Sequence, residues 1–216
     1  MSRLPADRHN AILLIGPTGS GKSPLGDYLQ AEGFEGRRCH HFDFGSELRA
    51  AAEGADCPGL SEADRTFVRR CLMEGALLER ETFHIAEALL RGFVDRRRVA
   101  ANDLIVLNGL PRHVDQAIDA ERLINVARVL VLDCDASTVA SRIAGDSGGD
   151  REGRTDDQPE AIRRKLTLFA ERTKPLVEHY RRQGVRVTSV PVGVATQARE
   201  AAERLLSRDR ETAPCR

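Results

Sequence analysis

The chain has 216 residues, of which 41% are hydrophobic and 31% charged, and its 33 basic side chains balance 33 acidic ones. That balance excludes a disordered polymer, and zero net charge supplies no global field to draw in nucleic acid or an anionic membrane surface. Anion binding must therefore come from local placement of arginines. No apolar run approaches the ~20 residues of a membrane helix, and the short polar stretch 1–10 lacks the apolar core of a signal peptide. The expectation is a cytoplasmic protein with no membrane and no nucleic-acid partner. Five cysteines (Cys39, Cys57, Cys71, Cys134, Cys215) are odd in number and form no C-x-x-C pair. Their spacing suits neither zinc nor a disulfide framework, so they read as reduced core fillers.

Taken in chain order, short β-type runs alternate with helical stretches, the pattern of a parallel sheet covered by helices. Residues 11–15 form a continuous apolar run, as a strand buried on both faces should be. A glycine-rich loop follows, then a helix over 22–31. A second strand is predicted at 39–44, and from 46 to about 99 the pattern is helical almost throughout, broken near Cys57-Pro58-Gly59. Strands are predicted at 104–107 and 126–132, with a helix from 136 to Gly145. Residues 145–153 are too rich in glycine and charge to bury a core and read as an exposed loop. A long helix is predicted over 158–182, with Pro159 in its first turn and Lys174-Pro175 kinking or dividing it. A fifth strand at 185–190 and a closing helix at 196–207 complete the series. His40 and His41 are adjacent, so a strand would point them to opposite faces, which suits structural roles rather than a shared metal.

Gly16-Pro17-Thr18-Gly19-Ser20-Gly21-Lys22-Ser23 fits G-x-x-x-x-G-K-[ST] at every fixed position. It also lies directly after an apolar strand and directly before a helix, where the mechanism needs it. Glycines permit the turn that aims successive backbone N–H groups at phosphate oxygens, and the helix N-terminus adds roughly half a positive charge there. Lys22 is expected to reach the β- and γ-phosphates of ATP, and the Ser23 hydroxyl to ligate Mg²⁺. No N-K-x-D guanine-reading motif accompanies the loop.

Three further segments narrow the class. Phe42-Asp43-Phe44-Gly45-Ser46-Glu47-Leu48-Arg49 resembles the I-S-T-G-D-x-L-R segment of adenylate kinases and related nucleoside monophosphate kinases. Leu107-Asn108-Gly109-Leu110-Pro111-Arg112, continuing to Gln116-Ala117, resembles that family's L-D-G-F-P-R-x-x-x-Q-A. Gly153-Arg154-Thr155-Asp156-Asp157 and the helix after it resemble the lid exit. The resemblance spans roughly residues 11–180. It implies a three-layer α/β/α phosphate-loop kinase fold with a five-stranded parallel sheet, a helical acceptor-binding insertion and a short lid. In its divisions, 1–44, 101–144 and 158–207 are core, 45–100 the acceptor region, 145–157 the lid and 208–216 a tail.

What the resemblance implies about function is transfer of the ATP γ-phosphoryl group to a nucleoside monophosphate, AMP by default, with Mg²⁺ as cofactor, in a monomer or weak dimer. Arg49 and Arg112 would clamp the acceptor phosphate, since the planar guanidinium binds phosphate through two donors and stays charged. Gln116 would meet the acceptor base beside Phe44, Gly45 and Gly109. Arg142 would stack on the donor adenine, and Arg154 would close over the transferring group. The sequence departs from the family in four places. Asn108 replaces an aspartate that organises water around Mg²⁺, removing a negative charge. Asp146 falls where an early lid arginine is expected, with Arg151 as a substitute. Lys165 aligns with the last catalytic arginine, and Phe44 replaces a small hydroxyl residue beside the acceptor base. These departures leave two alternatives open: a kinase of another small molecule on the same fold, and an ATP-binding module that has lost its chemistry.

Overall fold

Side chains alternate between two hydrophobic clusters along the first strand, β1 (His9–Ile15): Ala11, Leu13 and Ile15 join one and Ile12 and Leu14 the other. A two-residue side-chain period with both faces apolar makes a central strand, and β1 occupies that place. The computed structural model describes residues 8–149 and 158–211, with side chains through 207. Four more strands, β2 (Cys39–Asp43), β3 (Leu104–Asn108), β4 (Ile124–Asp133) and β5 (Arg186–Pro191), pair in parallel in the order β2-β3-β1-β4-β5. The predicted five-stranded parallel α/β fold is therefore the observed one, with each strand within two residues of its expected bounds at either end.

Helices α1 (Lys22–Glu32) and α9 (Ala198–Glu211) cover one face through Leu25, Leu29, Ala201, Ala202 and Leu205. The other face carries α2 (Phe44–Ala52), α3 (Glu62–Glu74), α4 (Phe83–Arg97), α5 (Val114–Ala120) and α8 (Leu176–Arg182). Phe42, Phe44 and Phe93 pack together there, with Phe93 edge-on to Phe42 at 5.1 Å between ring centres. Two further helices, α6 (Ala136–Ala144), which buries Val139 and Arg142, and α7 (Pro159–Leu168), come between β4 and α8 in the chain. Because α7 buries none of its residues, its side chains remain available to a cleft.

Local detail departs from the sequence expectation in three places. The helical run after β2 breaks at residues 53–61, as expected around Cys57-Pro58-Gly59, and breaks a second time at 75–79, where Gly75 adopts the left-handed conformation that ends α3. Helix α5 was not anticipated, because seven residues are too few to show an amphipathic period; His113 starts it by accepting from the Gln116 amide. The long helix near the C-terminus is three pieces: α7, a wide-wound turn over Phe169–Thr173, and α8. The division at Lys174-Pro175 is the expected one, since Pro175 has no N–H to give the helix, and the wide-wound turn before it is the departure.

Candidate functional site

In a parallel sheet, ligands bind outside the carboxyl ends of the strands where the strand order reverses. Here that point lies beyond β1, between β3 and β4. The phosphate loop leaves β1 there. Gly19 and Gly21 adopt left-handed backbone (φ 75° and 91°), and a Cβ on Gly16 would come within 2.5 Å of Ser20 Oγ and 3.0 Å of the Leu132 carbonyl. No side chain caps the first turn of α1. Its amides therefore face an open concavity, the arrangement that binds anions. Lys22 Nζ folds over the loop and donates to the carbonyls of Gly16 and Pro17, both at 2.7 Å.

Strands β2 and β3 end at the same level beside this loop, and Asp43 and Asn108 are partners in register. Asp43 Oδ1 accepts from the Ser46 amide at 2.9 Å, capping α2. Its Oδ2 accepts from Ser23 Oγ at 2.8 Å and from Asn108 Nδ2 at 2.8 Å, and the same amide nitrogen lies 3.0 Å from Ser23 Oγ. Mg²⁺ takes oxygen ligands at ~2.1 Å in an octahedron whose edge is therefore ~2.9 Å, so the Ser23 and Asp43 oxygens have a compatible separation. Among the described residues no three His, Cys, Asp or Glu side chains converge on a metal cage. Such an ion would lean on nucleotide phosphates for its other ligands, as Mg²⁺ commonly does.

Facing the loop across the same cleft are Arg49 from α2, Arg112 from the β3–α5 connection and Lys165 from α7, with Phe169 and Thr173 between them. Arg112 is half-buried and held through its backbone: its amide donates to Gln116 Oε1 at 2.8 Å and its carbonyl accepts from Thr173 Oγ1 at 2.8 Å. Burial pulls the Arg112 pKa down, and the neighbouring Asp43 charge opposes that pull. Gly109, with φ 84°, lines the cleft where the chain turns out of β3. The cleft thus brings together Lys22, Ser23, Gly45, Arg49, Asn108, Gly109, Arg112 and Lys165.

Three of the expected binding residues sit apart from it. The Phe44 ring is 3% exposed and packs in the core against Phe42. Gln116 is 1% exposed, with Oε1 engaged by Arg112 and Nε2 donating to the Leu78 carbonyl at 2.7 Å. Arg142 is buried and donates to the carbonyls of Gly19 (2.9 Å), Gly193 (2.8 Å), Val194 (3.0 Å) and Thr196 (3.0 Å), clamping the phosphate loop to the β5–α9 connection. Arg154, Arg151, Asp156 and Asp157, with most of the lid, lie outside the described residues. His40 and His41 pair with different carboxylates, Asp103 and Asp27, each at 2.8 Å.

A family model described as an AAA domain matches residues 12–163, most of the chain and every strand of the sheet but β5. The chain belongs to the AAA domain family. The AAA domain chain is also similar to individual kinases. It is 27% identical over 204 residues to an adenylate kinase of Xanthomonas euvesicatoria pv. vesicatoria, covering 91% of this chain and 99% of that one. An adenylate kinase of Xylella fastidiosa (strain M23) is 26% identical over 182 residues, 81% of this chain and 87% of the relative. A uridylate kinase of Saccharomyces cerevisiae is 27% identical over 175 residues, 81% and 79% respectively. This AAA domain is therefore adenylate kinase-like in sequence, and its parallel five-stranded sheet with flanking helices is a phosphate-loop kinase-like fold. Sequence reasoning gave no site role to Asp43, Phe169 or Thr173. For Asp43 a signal existed, since an acidic residue ends a predicted strand on the edge where a parallel sheet binds ligands.

Proposed function

We propose that this chain is a nucleoside monophosphate kinase that transfers the γ-phosphoryl group of ATP to the phosphate of a nucleoside monophosphate, with AMP first among the candidate acceptors. One observation carries the reading: an uncapped phosphate loop with Lys22 and a pair of arginines, Arg49 and Arg112, line one cleft. Phosphoryl transfer asks a protein chiefly to hold two phosphates in line and to neutralise charge spread over the transferring group. In this reading the α1 amides and Lys22 bind the donor's phosphates. Arg49 and Arg112 grip the acceptor's phosphate, and Lys165 adds positive charge from the far wall. Mg²⁺, held through Ser23, supplies charge neutralisation on the donor phosphates when bound. The lid residue Arg154 is proposed to close over the transferring group and to exclude water that would otherwise hydrolyse ATP. The kinase names of the relatives support the reaction class, and because they include both adenylate and uridylate kinases the base is left to measurement.

The test is an acceptor screen: ATP with AMP, UMP, CMP and GMP, and with non-nucleotide hydroxyl and phosphate acceptors. Turnover is expected with at least one monophosphate. Arg112→Ala should lower kcat/KM for it by at least about 100-fold, since a charge-assisted, two-donor contact to a phosphate is lost. Higher kcat/KM with a non-nucleotide acceptor, or no turnover with any monophosphate, would overturn the proposal.

A further inference from the structure

We infer that Asp43, rather than Asn108, is the acidic residue of the divalent-cation site at the phosphate loop, so that the negative charge has moved one strand sideways in this chain. The inference rests on the nucleotide-binding half of the proposed function and not on the identity of the acceptor. The segment that β3 resembles ends in aspartate where this chain has Asn108, and the segment that β2 resembles has serine where this chain has Asp43. These two positions are register partners in adjacent parallel strands. An exchange between them leaves the carboxylate at the same edge of the sheet and beside the same serine.

Local chemistry agrees. A hard cation needs an anionic oxygen, and the carboxylate bonded to the Ser23 hydroxyl is that of Asp43, at 2.8 Å. Asn108 turns its Nδ2 toward both Ser23 and Asp43, and an N–H donor cannot ligate a metal. Its amide holds the carboxylate in place, which makes Asn108 a positioning residue. The Asp43 carboxyl is fixed from the other side as well, because Oδ1 is committed to the Ser46 amide at the start of α2. Six residues further along the same chain stands Arg49, so one carboxylate both touches the cation site and starts the helix that presents Arg49 to the cleft.

The test measures metal binding directly. Mn²⁺ would be titrated, with loss of its free electron paramagnetic resonance signal as the readout, into the full chain saturated with a non-hydrolysable ATP analogue. Nucleotide affinity would be measured in parallel in EDTA. Asp43→Asn keeps an N-cap for α2, since asparagine caps as well as aspartate. It is expected to weaken Mn²⁺ binding at least tenfold while nucleotide affinity in EDTA changes less than threefold. Adding Asn108→Asp to that variant should recover most of the lost Mn²⁺ affinity. Mn²⁺ affinity within twofold of the parent in Asp43→Asn would overturn the inference. So would an equal loss of nucleotide affinity in EDTA, or a double variant that recovers nothing. A parent protein that binds the metal–nucleotide pair through Asp43 but turns over no monophosphate would overturn the kinase proposal and leave this assignment standing.

Discussion

Tyr180 is 1% exposed in the core, and its hydroxyl oxygen has no hydrogen-bond partner among the described residues. Burial pushes its pKa well above the ordinary phenol value. A buried, unmatched hydroxyl costs roughly 1–3 kcal/mol, so deleting it at constant shape should be favourable. Tyr180→Phe is expected to raise the unfolding free energy by about 1 kcal/mol in urea titration, with the m-value unchanged. A loss of stability instead would reveal a hydrogen bond that the buried oxygen makes. Single residues were also where the sequence was most and least readable. The phosphate-loop positions could be named from spacing alone, because backbone geometry there demands glycine and lysine at fixed offsets. Cys39, Cys57 and Cys71 are buried, and burial pushes the Cys39 thiol up to about 11, as core-filling cysteines should behave. Phe44 and Gln116 show the other side: each lies in a family-like segment, yet its side chain is drawn into the core, which no spacing reveals.

Among the elements, α3 is tied at its start by a reciprocal cap. Ser61 Oγ accepts from the Asp64 amide at 3.2 Å, and Asp64 Oδ2 accepts from the Ser61 amide at 2.9 Å. Asp64 also meets His84 of α4 at 2.8 Å. The Ser61 hydroxyl first, then the His84 ring and the Ser61 amide, hold the Asp64 carboxyl down to about 2. Its folded value lies below its unfolded one near 3.9, so this contribution to stability is present above about pH 4 and is lost as pH falls toward 2. Ser61→Ala should cost about 1 kcal/mol near neutrality. The gap between parent and variant should shrink between about pH 5 and about pH 2, measured by urea unfolding at each pH. A gap constant with pH would exclude the carboxylate from the cap. Strands were easier to place than helices here, since buried parallel strands announce themselves as apolar runs. The break at residues 75–79 has a local signal in Gly75, whose left-handed backbone ends α3, whereas the wide turn at Phe169–Thr173 contains neither glycine nor proline to mark it.

At the scale of the whole molecule, Arg142 joins parts of the chain that are far apart in sequence. Its buried guanidinium links the phosphate loop at Gly19 to the connection between β5 and α9. Arg142→Ala would leave four carbonyls short of a charged donor. The expected cost is about 3 kcal/mol or more of stability, with weaker ATP binding because the loop loses its brace. Arg142→Lys should recover only part of this, lacking the fork. Chemical denaturation and ATP titration together separate a clamp from a residue that only stacks on adenine, for which stability would be unchanged.

From the residues alone come the parallel α/β class and the phosphate loop, because each follows from local periodicity or from a motif whose spacing the chemistry dictates. The two arginines opposite the loop come from the resemblance of their segments to those of nucleoside monophosphate kinases. Which carboxylate stands beside Ser23, and that Arg142 ties the loop to the far edge of the sheet, were decided only in three dimensions. Both depend on lateral strand register and on contacts across more than fifty positions of chain for Arg142, and a one-dimensional pattern carries neither.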